Sequence, residues 1–477
     1  MYLPVLHSES LDVYLQYVCR VEISMKIFIV GTGRIGTALA AQLSKDGYDI
    51  TVIDKDPDVI DTISNSVDAI GYQGNGASMS TLEELGAQNS DILVAVTDSD
   101  ELNLLSCFTA HAMGTKHTIA RVRDVDYASN NHFYKEKMGL SMIINPDLAS
   151  ASEIFRILRF PLATRIEVFA GGRAELVQLV VPDDSALVGK SLIQINKDLG
   201  INLLICAIKR GETVFVPNGN AVIEKKDTIY LTGAPREFKN SFKKLNMSIK
   251  PLQSVLIYGN DRITYYLADL LTKEGVTVTI VDNDAAICNN LADKLPKASV
   301  MQDDAFRYFD NMAESDIKNT DAFVAVSTND ENNIIAAMYA ETKGLSKVVA
   351  RISAKERTKV ISQDSKICTL SREDVASDRI LGYVRALINA NTNDRVESLY
   401  RLLDGQLEFI EFNIRPDDKN INIPLKDLKL VPNVLIAGII RRNAMIIPHG
   451  DDCIMAHDTA IIATINHQIS GIEDIYE

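Results

Sequence analysis

The feature that most restricts this chain is an internal repeat. Gly31 in IFIVGTGRIG and Gly259 in VLIYGNDRIT lie 228 residues apart. Asp54 in TVID and Asp282 in TIVD keep that offset. Asp91 in DILVAVTDSDELN and Asp321 in DAFVAVSTNDENN lie 230 apart, as do Arg121 in IARV and Arg351 in VARI. A near-constant offset through strands, strand ends and the helices that follow is the mark of a duplication. The 477 residues therefore hold two copies of one unit.

Each unit divides again. Its first part alternates short β-branched runs with helical patterns. In copy one the runs are KIFIV, DITVID, DAIGYQG, DILVAV and HTIARV. Between them lie TALAAQLSKDG, a helix over 58–66, STLEELG and ELNLLSCFTAHAMG. Such alternation predicts parallel strands with right-handed crossovers, a doubly wound Rossmann-like domain. A helix follows (ASEIFRILRF in copy one, DRILGYVRALI in copy two), and then short strands with turn signals. These are AELVQLVVP, INLLICAIKRGETVFVPNGN and DTIYLTG, against LEFIEFNIRP, NVLIAGIIRRNAMIIPHGDD and DTAIIAT. Pro217 and Pro448, like Gly219 and Gly450, lie 231 apart. Arg210-Gly211 predicts a hairpin over 209–212. The fold class is α/β: two doubly wound, NAD(P)-binding Rossmann-like domains alternating with two small α+β domains. Linkers are expected over 145–164, 238–252 and 370–394.

The loop Gly31-Thr32-Gly33-Arg34-Ile35-Gly36 is a G-x-G-x-x-G placed between a strand and a helix, with Asp54 ending the next strand. Gly31 permits the tight turn, Gly33 lets the backbone approach a pyrophosphate, and Gly36 lets the helix pack against the strand. The helix start offers free N–H groups and a positive dipole end. Asp54 suits ribose hydroxyls and disfavours a 2′-phosphate, so NAD(H) is expected over NADP(H). Thr97 and Asp98 follow the fourth strand at the ligand-binding edge of an open sheet. Asp98 serves there, as a helix N-cap, or as both. Arg121 ends the next strand and suits either a phosphate or a structural ion pair.

In the second loop, Gly259-Asn260-Asp261-Arg262-Ile263-Thr264, Asp261 replaces the glycine nearest the phosphates and Thr264 the packing glycine. A Cβ blocks approach at 261, and a carboxylate there repels a pyrophosphate. The side chain at 264 is expected to hold the helix slightly off the strand. Copy two is thus expected to be structural, or to take a less anionic ligand such as a nucleoside or a cation.

Composition narrows the function. A net charge of −15 argues against a general nucleic-acid binder, which needs a basic face. The six Cys show no CxxC spacing and the seven His no HExxH, so neither a zinc site nor a redox dithiol is supported. No stretch approaches the roughly 18–20 apolar residues that cross a bilayer. Residues 1–24 read as a poor signal peptide. Met25 directly precedes the first strand, so 1–24 is either an upstream-start artefact or a true N-terminal extension. The small domains offer no acid–base pair of the kind a dehydrogenase adds beside a nicotinamide.

MKIFIVGTGRIG, TVID, LVAVTDSDELN and IARVR, each with a counterpart in the second copy, resemble the TrkA family of Trk potassium-uptake systems. That family is built from RCK (or KTN) domains, and the resemblance runs from Met25 to the C-terminus. It implies RCK Rossmann domains over 25–147 and 252–370, and RCK C-terminal domains over 164–247 and 393–474. It implies a non-enzymatic, cytoplasmic regulatory subunit, docked as a homo-oligomeric ring (dimer or tetramer) on a membrane potassium transporter or channel of the Trk/Ktr type. NAD(H), with ATP or ADP, would bind its Rossmann pockets and shift gating. The family's contacts carry over to Gly31, Thr32, Gly33, Arg34, Ile35, Asp54, Thr97, Asp98 and Arg121; no catalytic or metal-binding residue is implied. Helices over 151–160 and 378–389 are candidate hinges, or plain linkers. The competing functions are an NAD-dependent oxidoreductase with an unrecognised site and a regulator of potassium efflux.

Overall fold

Uninterrupted apolar runs make central strands when both faces of a sheet are covered. KIFIV and ILVA show this: four of five residues of the first and all of the second are buried. In the computed structural model they form β1 (Lys26–Val30) and β4 (Ile92–Ala95). The structure describes residues 25–477 apart from 125–126, 128–130, 160–162, 170–172, 184, 246–251, 346, 362–364, 366, 392–395, 404–405, 466–468 and 470. The extension 1–24 lies outside them. The chain divides after Ile144 into two compact units.

In the first unit, β2 (Asp49–Asp54), β3 (Ile70–Gln73), β5 (His117–Arg121) and β6 (Met142–Ile144) join β1 and β4 in a six-stranded sheet, order β3-β2-β1-β4-β5-β6. Its pairs are parallel, as expected. Helices α1 (Arg34–Lys45), α2 (Pro57–Ser66), α3 (Met79–Glu84), α4 (Asp100–Met113) and α5 (Asn131–Met138) connect the strands. The order reverses between β1 and β4. The loops leaving those strands part to opposite faces and leave a crevice.

The second unit opens with α6 (Pro146–Arg159), inside the stretch expected to be linker. Asn145 caps it, its side-chain oxygen accepting from the N–H groups of Asp147 and Leu148. Ala151, Ile154 and Leu158 lie on one helix face and are buried in the core of the second Rossmann domain. A small domain follows: β7 (Ala163–Phe169), β8 (Ala174–Val180), α7 (Leu192–Leu199), β9 (Leu204–Arg210), β10 (Thr213–Phe215), β11 (Thr228–Gly233) and α8 (Pro235–Lys244). Thr213 pairs with Arg210, which confirms the expected hairpin.

The second Rossmann domain runs β12 (Ser254–Tyr258), α9 (Arg262–Lys273), β13 (Thr277–Asp282), α10 (Ala285–Lys294), β14 (Ser299–Gln302), α11 (Ala305–Asn311), α12 (Glu314–Asn319), β15 (Ala322–Ala325), α13 (Asp330–Thr342), β16 (Lys347–Arg351) and β17 (Ile367–Leu370). Its order, β14-β13-β12-β15-β16-β17, repeats the first. Helix α14 (Arg372–Asn391) leads to β18 (Val396–Leu402), β19 (Leu407–Asn413), β20 (Val434–Arg441), β21 (Ala444–Ile446) and β22 (Thr459–Thr464). The two small sheets share one topology, β10-β9-β11-β8-β7 and β21-β20-β22-β19-β18. The duplication reaches single bonds. Arg210 grips Asp227 with two hydrogen bonds of 2.9 and 2.8 Å, and Arg441 grips Asp458 with two of 2.9 and 2.7 Å.

The small sheets face each other within the chain. Ala174, Leu176 and Tyr230 of one pack with Leu407, Phe409, Ile461 and Ala463 of the other. The alternate residues Val177, Leu179, Ile229 and Leu231 face Ile195, Phe238 and Phe242 on the helices behind. Period-two alternation with both faces apolar explains why these strands read as continuous hydrophobic runs.

Candidate functional site

The β1–α1 loop is built by its glycines. Gly31 has φ +95°, and a Cβ there would meet the Thr97 backbone nitrogen at 2.8 Å. A Cβ at Gly36 would fall 1.9 Å from the Gly31 carbonyl oxygen. Both positions therefore admit only glycine in this geometry. Gly33 differs: nothing lies within 4 Å of where its Cβ would be. That open space is the cleft, lined among others by Gly31, Gly33, Asp54, Lys55, Thr97 and Asp98.

Asp54 is fixed at its floor. Its carboxylate accepts from the backbone N–H and the hydroxyl of Thr32, both at 2.7 Å, and from the Asp56 N–H at 3.1 Å. Burial works to raise its pKa, but these donors outweigh it and hold the carboxyl below its ordinary value. Asp54 thus remains an anion, an acceptor for hydroxyl donors.

The other expected residues divide by position. Thr32 and Ile35 are buried, the first as a donor to Asp54 and the second under α1. Arg34 is exposed at the first turn of α1. Arg121 is buried at the end of β5; its guanidinium donates to the Thr97 carbonyl at 2.7 Å and to Asp98 at 3.2 Å. It does not line the cleft. Asp98 is not the N-cap of α4: Ser99 is, accepting from the Leu102 N–H. The Asp98 side chain is 98% exposed, and the backbone turn hands the capping role to the next residue.

Sequence reasoning missed three residues. Asn103 accepts from the Thr97 N–H and hydroxyl (2.8 and 2.7 Å) and donates to the Thr97 and Arg121 carbonyls (3.0 and 2.9 Å). It ties the ends of β4 and β5 together beside the cleft. Gly74 and Gly76 line the cleft from the β3 side, and a Cβ at Gly76 would meet Val30 at 2.1 Å. A signal was available: GYQGNG has these glycines, whereas copy two reads VMQDDA.

The second loop keeps the frame and changes the content. Gly259 has φ +114°. Asn333 repeats the Asn103 bonds on Ser327 and Arg351 at 2.8, 2.7, 3.0 and 2.9 Å. The Thr264 hydroxyl donates to the Gly259 carbonyl at 2.8 Å, so loop and helix are spaced to admit the side chain that Gly36 excludes. Asp261 caps α9, and its carboxylate is 5% exposed. It meets Arg351 at 2.5 Å and Arg372 at 3.5 Å. Arg372 also meets Asp147 of α6 at 3.1 Å, and Arg351 lies 3.6 Å from Asp330. Burial, joined by the Asp261 charge, raises the Asp147 carboxyl against the pull of Arg372. Asp282 is also pushed up by burial, with only the Asp284 N–H and the Asn260 side chain as notable donors.

Two such units, each with a parallel sheet of this order and a loop of this geometry, match known sequences. The TrkA-N domain model matches residues 27–146 and 255–368, and the TrkA-C domain model matches 176–245. The chain belongs to the TrkA family. Among TrkA relatives, the Trk system potassium uptake protein TrkA homolog 1 of Methanosarcina mazei is 27% identical over 461 residues, covering 95% of this chain and 100% of that protein. The Trk system potassium uptake protein TrkA of Haemophilus influenzae is 28% identical, covering 94% and 96%. In fold, the chain is similar to the GsuK channel (TM-score 0.60, 16% identity, 95% of this chain and 80% of that one) and to the GsuK channel bound to NAD (0.59, 16%, 97% and 81%). Among the described residues, no helix is long and apolar enough to cross a membrane.

Proposed function

We propose that this chain is a nucleotide-sensing regulatory subunit of a potassium uptake system of the Trk/Ktr type, that it catalyses nothing itself, and that its first Rossmann cleft binds NAD(H). The observation that carries the nucleotide assignment is the open space over Gly33 beside an Asp54 carboxylate held below its ordinary pKa. The residues fit the ligand. Gly31 and Gly33 would let the backbone and the start of α1 meet a pyrophosphate, and Asp54 would accept from ribose hydroxyls. Lys55, exposed at the cleft, adds a cation near the phosphates. ADP and ATP present the same ribose and phosphates to the same groups. A 2′-phosphate would face the Asp54 anion, which favours NAD(H) over NADP(H).

A ligand changes gating only through different affinities for two states of the regulator. The cleft suits this, because Thr97 and Asp98 line it, the buried Arg121 donates to both, and Asn103 links Thr97 to the end of β5. Contacts at the rim therefore bear on the strand ends. The potassium-uptake role rests on the relatives named above, and it carries with it a cytoplasmic, ring-forming subunit that reaches the membrane through its transporter. Isothermal titration of the full chain with NAD should give a site that Gly33→Asp removes. A strain lacking the protein should grow poorly at limiting potassium and recover with the wild-type gene. Normal growth without it would remove the uptake role. Sustained NADH turnover with a metabolite would instead restore the oxidoreductase reading.

A further inference from the structure

The second loop raises its own question. Asp261 stands where copy one has Gly33, and its side chain is buried rather than turned to water. In copy one, the direction a side chain at that position would take is open cleft, the space in which a ligand's phosphates would lie. In copy two the chain places a carboxylate on that position. Two guanidinium groups converge on it, Arg351 at 2.5 Å and Arg372 at 3.5 Å, and the Ile263 N–H at the start of α9 adds a third donor at 3.4 Å. Paired arginines and a helix N-terminal N–H form the donor set that proteins use for phosphate.

Arg351 corresponds to Arg121, and the two backbone frames match, because Asn333 repeats the four bonds of Asn103. Yet the side chains go to different places. Arg121 turns to the Thr97 carbonyl and to Asp98, while Arg351 turns to the phosphate loop. The guanidinium has followed the negative charge.

We propose that the second Rossmann domain keeps an anion site that the chain itself fills: the Asp261 carboxylate sits on Arg351 as a built-in substitute for a ligand phosphate, and removing it uncovers a site for a pyrophosphate-bearing ligand. Arg372 extends the filled site to Asp147, so the substitute charge is tied to the first turns of both α6 and α14. Copy two then holds permanently the arrangement that a bound phosphate would induce.

The test uses the full chain and inorganic pyrophosphate as probe, followed by isothermal titration. Asp261→Gly is expected to bind one more equivalent per chain than wild type. Asp261→Gly/Arg351→Gln should lose that gain, with at least tenfold weaker affinity. A folded Asp261→Gly chain that binds no more pyrophosphate than wild type overturns the proposal, as does a double variant that binds equally well. If Asp261→Gly folds poorly, pyrophosphate should raise its melting midpoint by more than it raises that of wild type; no such difference also overturns the proposal. The first cleft is read separately, from NAD binding to wild type and Gly33→Asp, so failure there leaves this comparison intact.

Discussion

The two Rossmann loops share a backbone and differ in where they keep negative charge. In the first, the anion is Asp54, anchored at the base of a cleft over a bare glycine. In the second it is Asp261, on the loop itself, held between an arginine at a strand end and one at a helix start. Losing a glycine from this loop is therefore not simple decay. Its surroundings changed in company with it. Thr264 gained a hydrogen bond to the loop, the cleft glycines of QGNG became QDDA with Asp304 capping a helix, and Asp282 lost the strong donors that Asp54 has. The replacing side chains Asp261, Thr264 and Asp304 each make hydrogen bonds of their own.

Four measurements test the contrast between the two loops. The largest effect is expected from Arg351→Gln, which takes from the buried Asp261 carboxylate its shortest ion pair. It should cost about 3–5 kcal/mol in urea unfolding, against about 1–2 kcal/mol for Arg121→Gln, whose partner Asp98 is in solvent. Equal losses would mean that the two arginines do the same work. Next is Gly33→Asp. Its new side chain enters open space, so the fold should stand while NAD affinity falls by about a hundredfold, near 2.7 kcal/mol by titration. Unchanged affinity would remove Gly33 from the site.

Third is Gly36→Thr, which copies the second loop into the first without its relaxed spacing. A clash with the Gly31 carbonyl should cost about 1–3 kcal/mol in thermal melts, whereas Thr264→Gly should cost about 1 kcal/mol or less. The reverse ranking would contradict the geometry. The smallest effect carries a sign. The Thr32 and Asp56 donors hold the Asp54 carboxyl below its ordinary value, so its stabilisation is present above the unfolded value and disappears as pH falls through the folded one. Burial pushes the Asp282 carboxyl above its ordinary value, so its contribution is present below the unfolded value and is lost as pH rises through the folded one. At pH 7, Asp54→Asn should destabilise by about 1 kcal/mol, and Asp282→Asn should be neutral or stabilising. Equal losses in denaturant titrations would show that the two carboxylates have the same environment.

Much of the architecture was legible because duplication and period are local signals. The offset between Gly31 and Gly259 and the alternation of KIFIV with TALAAQLSKDG led directly to two parallel sheets. Gly31, Gly33 and Asp54 were readable because each answers a demand of the turn, the close approach or the strand end. Asn103 was not, since inside ELNLL it reads as one polar residue on a helix, and its partners Thr97 and Arg121 lie on strand ends. Its counterpart Asn333 in DENN could have drawn attention to it. The Arg372–Asp147 contact spans 225 residues, and no local pattern encodes it. Asp98 was misjudged as a possible cap because capping depends on a backbone angle that sequence leaves open at Asp98 or Ser99. The stretch 145–164 was expected to be linker, yet α6 belongs to the core of the domain after it, since Ala151, Ile154 and Leu158 find their partners more than a hundred residues later.

The face-to-face small sheets have a consequence for how the halves diverged. Phe169 packs edge-on to Tyr400 at 4.4 Å, across an interface whose two sides lie on one polypeptide. Two separate chains would meet there only as often as their concentration allowed. Joined by a tether, they meet at an effective concentration that dilution cannot lower. Their pairing also need not be symmetric, because neither half ever has to recognise its own duplicate. Such a tether frees one copy to fill its own pocket while the other keeps its pocket open.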